Sequence, residues 1–348
     1  MERLRAVLLA LAIGAAGGVI ASSAGFPAPW LTGPAFFVTV GAMAGLRLSI
    51  PNRLRNTVFT VIGMTIGSGV TPEMVATAAQ WPLSIVILVA AMVVIMTLGT
   101  VLLERGFGYD RTTALLGAAP GHLSYVLSLS TAIRADIPAI SIIQSTRVLV
   151  LTLAVPFLAA AIAEGGLEQA LPDGEAMTAM VLVATTLVAI GLALVFQRLN
   201  VPAAFLLGGM LASSAGHLTG VGPGLVPAWL TIPAFVVMGT LIGTRFSGVS
   251  LALIRHAAAA ALAFTALAGI VAVMAGLLAT GLLGLPLVQT LVAYAPGGLE
   301  AMAAMALLLG VNPAFVAAHH IARLLFLTLL IPLATHRAAR PTARDVRR

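Results

Sequence analysis

The sequence predicts an all-α integral membrane protein built from two inverted-topology repeats, each with about five crossings and one re-entrant or broken helix hairpin. Three observations predict this fold: the composition, a set of motifs repeated at constant spacing, and the placement of arginine. Of the 348 residues, 60% are hydrophobic and 8% are charged, with a mean hydropathy of +1.09. A soluble domain carries about 25% charged residues. The chain therefore needs a lipid bilayer around it.

Apolar runs long enough to cross a membrane recur along the whole chain. A spanning helix needs about 17–25 residues, and runs of this length occur at 4–20, 82–103, 176–196 and 257–283. The first run follows Arg3 and Arg5 and resembles a secretory signal. We interpret it as a transmembrane helix because further spans follow it immediately. The absence of cysteine excludes disulfides, thiolate catalysis and cysteine metal sites.

The two halves of the chain share motifs at a spacing of about 176 residues, which indicates an internal duplication. The matching motifs are Gly63-Met-Thr-Ile-Gly67 with Gly239-Thr-Leu-Ile-Gly243, Ala119-Pro-Gly-His-Leu123 with Ala295-Pro-Gly-Gly-Leu299, and Arg147 with Arg323. They predict a first membrane repeat at 1–165, an acidic linker at 166–175, a second membrane repeat at 176–336 and an Arg-rich cytoplasmic tail at 337–348.

Arginine placement predicts that the repeats are inverted. Arginines lie at the start of the first half and after its second and fourth spans, whereas the equivalent loops of the second half have none. The alternate loops of the second half carry Arg198, Arg245 and Arg255 instead. Cytoplasmic loops are enriched in basic residues, so the charge changes sides as in an inverted repeat. Both termini are then cytoplasmic, in a multi-pass membrane protein.

An inverted repeat needs an odd number of crossings, yet each half has six apolar segments. One segment per half must therefore enter and leave on the same side. The segments 112–133 and 287–310 fit best, because Pro120-Gly121 and Pro296-Gly297 interrupt them. Twelve full crossings are the alternative, but they would place four arginines on the outer side of the membrane.

The Pro-Gly breaks are candidate binding sites. Broken backbone at membrane depth is tolerated only where it is buried in protein or lines a wet cavity. Half-helix ends then offer free N–H groups to anions or free C=O groups to cations. We expect the two breaks to meet near the midplane of the bilayer, although simple kinks are an alternative.

Two arginines, Arg147 and Arg323, lie deep in equivalent apolar segments. Burying one arginine costs about 2.5–3.5 kcal/mol on insertion scales. Glu300 is the only carboxylate at similar depth and can neutralise only one of them. The remaining positive charge suits an anion, since arginine matches carboxylate and phosphate groups. In the alternative, each arginine caps the carbonyls of a broken helix or snorkels.

Neighbouring polar residues complete the predicted substrate-binding site. Gln144 and His320 lie three residues before the arginines, so each pair shares a helix face. The predicted residues are Pro120, Gly121, His122, Gln144, Arg147, Pro296, Gly297, Gly298, Glu300, His320 and Arg323. No metal or cofactor is predicted, because the spacing of His122, His319, His320 and Glu300 matches no strong metal motif. Asp136 and Asn312 are predicted helix N-caps.

The second-half pattern resembles the AbrB-type membrane protein family. It runs from Pro296-Gly-Gly-Leu-Glu300 through Asn312, His319-His320 and Arg323 to Pro332. The resemblance implies a duplicated membrane region in a bacterial inner-membrane protein. Members of this family are labelled regulators of gene expression or ammonia monooxygenases. In the first copy, His122 replaces Gly298 and Ser124 replaces Glu300, so the half-sites are not expected to be equivalent.

Three functions remain open at this point. The first is a secondary transporter in which Arg147 and Arg323 hold a small anionic solute and Glu300 or His320 couples protons. The second is a membrane-bound ligand sensor involved in regulation of gene expression. The third is a metalloenzyme, which we do not favour because no convincing metal site is present.

The polar segments and the spacing of the glycines indicate which further binding partners are expected. Direct nucleic-acid binding is not expected, because no polar stretch can hold a helix-turn-helix. The Arg-rich tail is expected to meet anionic lipid. Small-xxx-small glycine pairs would permit a homodimer without requiring one.

Overall fold

The computed structural model consists of helices and one isolated β-bridge, between Ala176 and Leu225, in the residues it describes. Those residues are 2–72, 74, 78, 81–120, 123–133, 135–162 and 174–338. Gly121, His122, most of the predicted acidic linker and all but the start of the predicted tail lie outside them.

Seven helices make up the described part of the first repeat. They are α1 Glu2–Ser23, α2 Pro29–Met43, α3 Asn52–Ser68, α4 Trp81–Val101, α5 Arg111–Ala118, α6 Leu123–Ala132 and α7 Ile137–Ile162. A π-helical turn, Leu102–Gly106, extends α4.

Seven further helices follow in the second half. They are α8 Ala179–Arg198, α9 Ala204–Leu218, α10 Ala228–Gly243, α11 Leu251–Leu283, α12 Leu287–Tyr294, α13 Leu299–Leu308 and α14 Pro313–Ala338. Helices α12, α13 and α14 begin and end 176 residues after α5, α6 and α7, since 111, 123 and 137 become 287, 299 and 313. The helices thus show the same offset as the motifs. The inverted orientation and the number of crossings stay predictions.

The chain is a multi-pass membrane protein by the length and composition of its helices. Seven helices of the described part are long and apolar enough to cross a bilayer. They are Glu2–Ser23, Trp81–Gly106, Ile137–Ile162, Ala179–Arg198, Ala228–Phe246, Ala252–Leu283 and Pro313–Thr335. Helices α2, α3 and α9 have 15, 17 and 15 residues. At about 1.5 Å per residue they are shorter than a hydrocarbon core of about 30 Å.

Close contacts between the two halves hold the short helices together. Helix α3 packs on α9, and at the equivalent place α10 packs on α2. A Cβ at Gly63 would collide with the Leu206 carbonyl of α9, and one at Gly239 with the Leu31 carbonyl of α2. The small-xxx-small motifs at Gly63 and Gly239 are therefore used for helix contacts within the chain.

The helical segments are interrupted at Pro120 and at Pro296, as the sequence predicted. Helix α5 ends at Ala118 before Ala119 and Pro120, and α12 ends at Tyr294 before the break at 295–298. The arms have 8 and 10 residues in each half, so they are about 12 and 15 Å long. Each arm can reach about half-way across the hydrocarbon core.

The two ends of the first broken segment lie together. The Thr113 hydroxyl near the start of α5 accepts a 2.9 Å hydrogen bond from the backbone N–H of Asp136, beyond α6. Asp136 also accepts from the N–H of Ala139, and Asn312 accepts from the N–H groups of Ala314 and Phe315. The two predicted N-caps are confirmed.

Candidate functional site

The second break is held by Arg323, which projects from α14 and is fully buried. Its guanidinium donates to the Ala295 carbonyl at 3.0 Å and to the Gly297 carbonyl at 2.5 Å. It also contacts Nδ1 of His320 at 2.8 Å, and Nε2 of His320 lies 3.3 Å from the Val292 carbonyl. Residues of α14 therefore bind the carbonyl end of α12 and both sides of the break.

The first break is held by Gln144 and Arg147, which project from α7 at the equivalent positions. The Gln144 amide donates to the carbonyls of Leu116 at 3.0 Å, Gly117 at 3.4 Å and Ala119 at 2.7 Å. Arg147 donates to the Ala119 carbonyl at 3.3 Å. Leu116 and Ala119 are equivalent to Val292 and Ala295 at a shift of 176, so the two breaks share one capping scheme.

This capping has a direct electrostatic cause. The last carbonyls of a helix lack intrahelical partners and carry the negative end of the helix dipole, so cations and N–H donors stabilise them. Arg147 and Arg323 supply both a charge and a donor at such ends. Both arginines therefore cap the carbonyls of a broken helix, which was the alternative to anion binding in the sequence analysis. The Nε atoms of both remain without a hydrogen-bond partner among the described residues.

A polar cavity of about 470 Å³ opens beside the first break. Arg55, Arg147, Arg245 and Glu300 line it, together with the amide side chains of Asn56, Gln144, Gln197 and Asn200. Three cationic residues and one carboxylate give the lining an excess of positive charge. The cavity wall comes from both repeats, because α3 and α7 face α13 and the loop between α8 and α9.

The N-terminus of α13 also reaches this cavity. Gly298 is its N-cap and no side chain caps it, while Gly298, Leu299 and Glu300 line the cavity. The first N–H groups of a helix lack intrahelical acceptors and form a ready site for an anion. Glu300 lies in this first turn and is half-buried. The cavity therefore combines arginine side chains, helix N–H groups and one carboxylate.

The structure gathers only part of the predicted site around this cavity. Gln144, Arg147, Gly298 and Glu300 line it. Pro120 lies buried in the first break, and Gly121 and His122 lie outside the described residues. In the second half-site, Gly297, His320 and Arg323 take part in the capping, and Pro296 lines a separate apolar cavity of about 620 Å³.

Sequence reasoning missed Arg55 and Arg245 as site residues. Both were assigned to cytoplasmic loops by the arginine pattern alone. Arg245 lies two residues after Gly243, just beyond the end of a helix that packs against the other repeat. That position beside a close helix contact was the one available signal.

The two adjacent histidines of α14 point to different partners. His319 contacts Ser84 of α4 and the Phe315 carbonyl, whereas His320 contacts Arg323 and the Val292 carbonyl. Among the residues that the structure describes, no group of three His, Cys, Asp or Glu side chains is placed to hold a metal ion.

The comparison with protein families decides the classification. The family model described as "Transition state regulatory protein AbrB" matches residues 30–339. The chain belongs to the AbrB family. Two relatives are similar to this chain over most of their length. "Uncharacterized protein YhjN" of Bacillus subtilis (strain 168) is 26% identical over 95% of this chain and 92% of its own. "Putative regulator AbrB" of Escherichia coli (strain K12) is 26% identical over 88% of each.

Proposed function

We propose that this AbrB-family protein is a secondary transporter of a small anionic solute, with its substrate site in the polar cavity. The observation that carries the proposal is the joint lining of that cavity by Arg147, Arg245 and the uncapped N-terminus of α13. Paired broken helices whose ends face a central site are the arrangement that transporters use for charged substrates.

Electrostatics favours an anionic ligand there. Arg55, Arg147 and Arg245 line the same cavity. Like charges gathered in a medium of low dielectric repel each other strongly. A bound carboxylate or phosphate would offset the repulsion, and it would pair with the forked guanidinium groups. Glu300 alone leaves most of this positive charge unbalanced.

The topology that fits this role is the inverted repeat with five crossings and one hairpin per half. The common offset of 176 residues and the contact between Thr113 and Asp136 support it. With both termini in the cytoplasm of a bacterial inner membrane, Arg55 and Arg245 lie on the cytoplasmic side. The cavity then opens inward, and rocking of one helix group against the other would expose it outward.

A membrane-bound ligand sensor is the second candidate. It is favoured by the family description and by the name of the Escherichia coli relative, which both refer to regulation. In that case the same cavity binds a ligand and nothing crosses the membrane. Flux of a bound anion into liposomes containing the purified protein separates the two functions.

The first test is a thermal-shift screen of the purified protein against carboxylates, phosphates, ammonium and simple inorganic anions. A ligand at 100 times its Kd stabilises by about 2.7 kcal/mol. We expect an anion to stabilise the wild type and the Arg255→Gln control but not Arg245→Gln. Arg255 is an exposed arginine in the first turns of α11 that does not line the cavity. Stabilisation by cations alone, or equal anion binding by Arg245→Gln, would overturn the proposal.

A further inference from the structure

A second buried polar cluster surrounds His319, and the proposed anion site does not use it. His319, Ser84 and Tyr294 are all fully buried, and they join α14, α4 and α12. The ring Nδ1 of His319 lies 2.8 Å from the Phe315 carbonyl, and Nε2 lies 2.9 Å from the Ser84 hydroxyl. The Tyr294 hydroxyl lies 3.0 Å from that hydroxyl and 2.6 Å from the Ser84 carbonyl. We call this the His319 network.

Counting protons shows that the network is incomplete when His319 is neutral. Four contacts join its members, and each needs one hydrogen. A neutral imidazole, a serine hydroxyl and a tyrosine hydroxyl supply one hydrogen each. The Phe315 carbonyl can only accept, so Nδ1 must carry the histidine proton. Three hydrogens then serve four contacts, so the Tyr294 hydroxyl must share its one hydrogen between the hydroxyl and carbonyl oxygens of Ser84.

Protonation of His319 removes this deficit. An imidazolium donates from both ring nitrogens. Nδ1–H then donates to Phe315, Nε2–H to Ser84, the Ser84 hydroxyl to Tyr294, and the Tyr294 hydroxyl to the Ser84 carbonyl. Every contact then has its hydrogen, and each donated hydrogen points away from His319.

The neighbouring His320 is arranged in the opposite way. Its Nδ1 lies 2.8 Å from the Arg323 guanidinium, which can only donate, so this nitrogen must be an acceptor. Its Nε2 faces the Val292 carbonyl and therefore carries the proton. Both contacts are satisfied in the neutral form, and a second proton would break the bond to Arg323. His320 is thus poorly suited to the proton-carrying role that the sequence suggested for it.

Aromatic rings surround His319 in a way that suits a cation. The Phe315 ring lies 3.9 Å from the imidazole and is tilted by 34°, and the Tyr294 ring lies at 6.0 Å. Cations are attracted to the faces of aromatic rings within about 6 Å. This attraction and the completed hydrogen bonds act against the cost of burying a charge.

The ionisable groups on the helices around His319 are mostly positive and disfavour its protonation. The helices packed against α14 are α3, α4, α5, α12 and α13. Helix α4 has no ionisable side chain and α12 has only Tyr294; the others carry Arg53 and Arg55 on α3, Arg111 on α5 and Glu300 on α13. On α14 itself, His320 and Arg323 are nearest in sequence. The positive charge of the arginines disfavours a proton on His319, and an anion beside Arg55 in the polar cavity would relieve part of that effect.

We propose that the His319 network is a proton-binding site in the membrane interior, and that it takes up a proton together with an anion in the polar cavity. The link to the anion rests on the proposed function, whereas proton binding by the network does not. Tyr294 is the last residue of α12, so the network also joins the proton to the second break.

The test is ¹⁵N-histidine NMR of the full chain in lipid vesicles, titrated between about pH 8 and pH 5. The chain has six histidines, and the signal missing from His319→Gln identifies His319. We expect this signal to change from a neutral imidazole to an imidazolium within the range, while that of His320 stays neutral. A His319 signal that stays neutral down to pH 5 would overturn the proton site.

Tyr294→Phe is the matched control, because it keeps His319 and removes the deficit. Two contacts of His319 then remain, from Nδ1 to the Phe315 carbonyl and from Nε2 to the Ser84 hydroxyl. The neutral imidazole and the serine hydroxyl supply one hydrogen each, so a neutral His319 satisfies both contacts. We expect its protonation midpoint to fall by about one pH unit, a tenfold loss of proton affinity. An unchanged midpoint would show that the hydrogen count does not drive protonation.

A second arm tests the link to the anion, with acetate and inorganic phosphate added at constant pH. We expect either probe to increase the imidazolium fraction of the wild type. If the pH titration succeeds and neither probe has an effect, the proton site stands and its coupling to the anion is overturned. The thermal-shift screen needs no change at His319, so its failure is a separate result.

Discussion

The two half-sites are related by the duplication, yet they use their arginines differently. Arg323 donates to two backbone carbonyls and contacts His320, and it does not line the polar cavity. Arg147 donates to one carbonyl among the described residues and lines the cavity, while Gln144 makes most of the contacts to the end of α5.

The difference suggests a division of labour between the half-sites. Because Gln144 donates to three carbonyls, Arg147 makes only part of the capping contacts and also lines the polar cavity. Where His320 covers one carbonyl, Arg323 must hold both sides of the break. Equivalent helices therefore carry an arginine that only caps carbonyls in one repeat and an arginine that also lines the polar cavity in the other.

The largest expected effect follows from removing each arginine in turn. Arg323→Ala leaves two buried carbonyls without their donor, and each such loss costs about 1–3 kcal/mol. We expect Arg323→Ala to lower the unfolding free energy by about 3 kcal/mol or more and Arg147→Ala by about 1–2 kcal/mol. Thermal unfolding in detergent, followed by tryptophan fluorescence, measures both.

Arg323→Lys is the control for this pair. Lysine keeps the charge but not the planar fork, so it cannot reach both carbonyls with the same geometry. We expect an intermediate loss of stability. Equal destabilisation by Arg323→Ala and Arg147→Ala would contradict the division of labour.

The half-sites also show what sequence could and could not predict. The breaks at Pro120 and Pro296 were predictable because proline and glycine act locally. The N-caps Asp136 and Asn312 were predictable for the same reason. That both arginines donate to carbonyls was only one of two alternatives, because the choice depends on which end of a half-helix faces α7 or α14. Only the tertiary structure supplies that.

The helix contacts between the two repeats are symmetric, unlike the half-sites. Gly63 faces the Leu206 carbonyl and Gly239 faces the Leu31 carbonyl in the same way. We expect Gly63→Ala and Gly239→Ala to destabilise the protein equally, by about 1–3 kcal/mol, because the helices must move apart. The same unfolding assay measures this.

Two glycines without such contacts serve as controls. A Cβ at Gly191 or Gly269 would meet nothing within 4 Å, and both lie inside helices. Alanine there should be neutral or stabilising, since it favours a helix over glycine by about 0.5–1 kcal/mol. Clearly unequal effects at Gly63 and Gly239 would mean that the two repeats differ in their packing as well as in their half-sites.

The smallest expected effect concerns the helix caps, which precede the two arginine-bearing helices. Asn312 is only 8% exposed and accepts from two backbone N–H groups, whereas Asp136 is exposed and accepts from one. Replacing an N-cap by alanine costs about 0.5–2 kcal/mol. We expect Asn312→Ala near the upper end and Asp136→Ala near the lower end, because water can replace the exposed cap but not the buried one.

Exchanging the two caps tests this explanation. Asp136→Asn should lose only the attraction between a charge and the helix dipole, about 0.3–1 kcal/mol. Asn312→Asp should cost more, because it buries a charge. If Asn312→Asp is instead neutral in the unfolding assay, the start of α14 is wetter than its burial indicates, and the second half-site is open to solvent as the first one is.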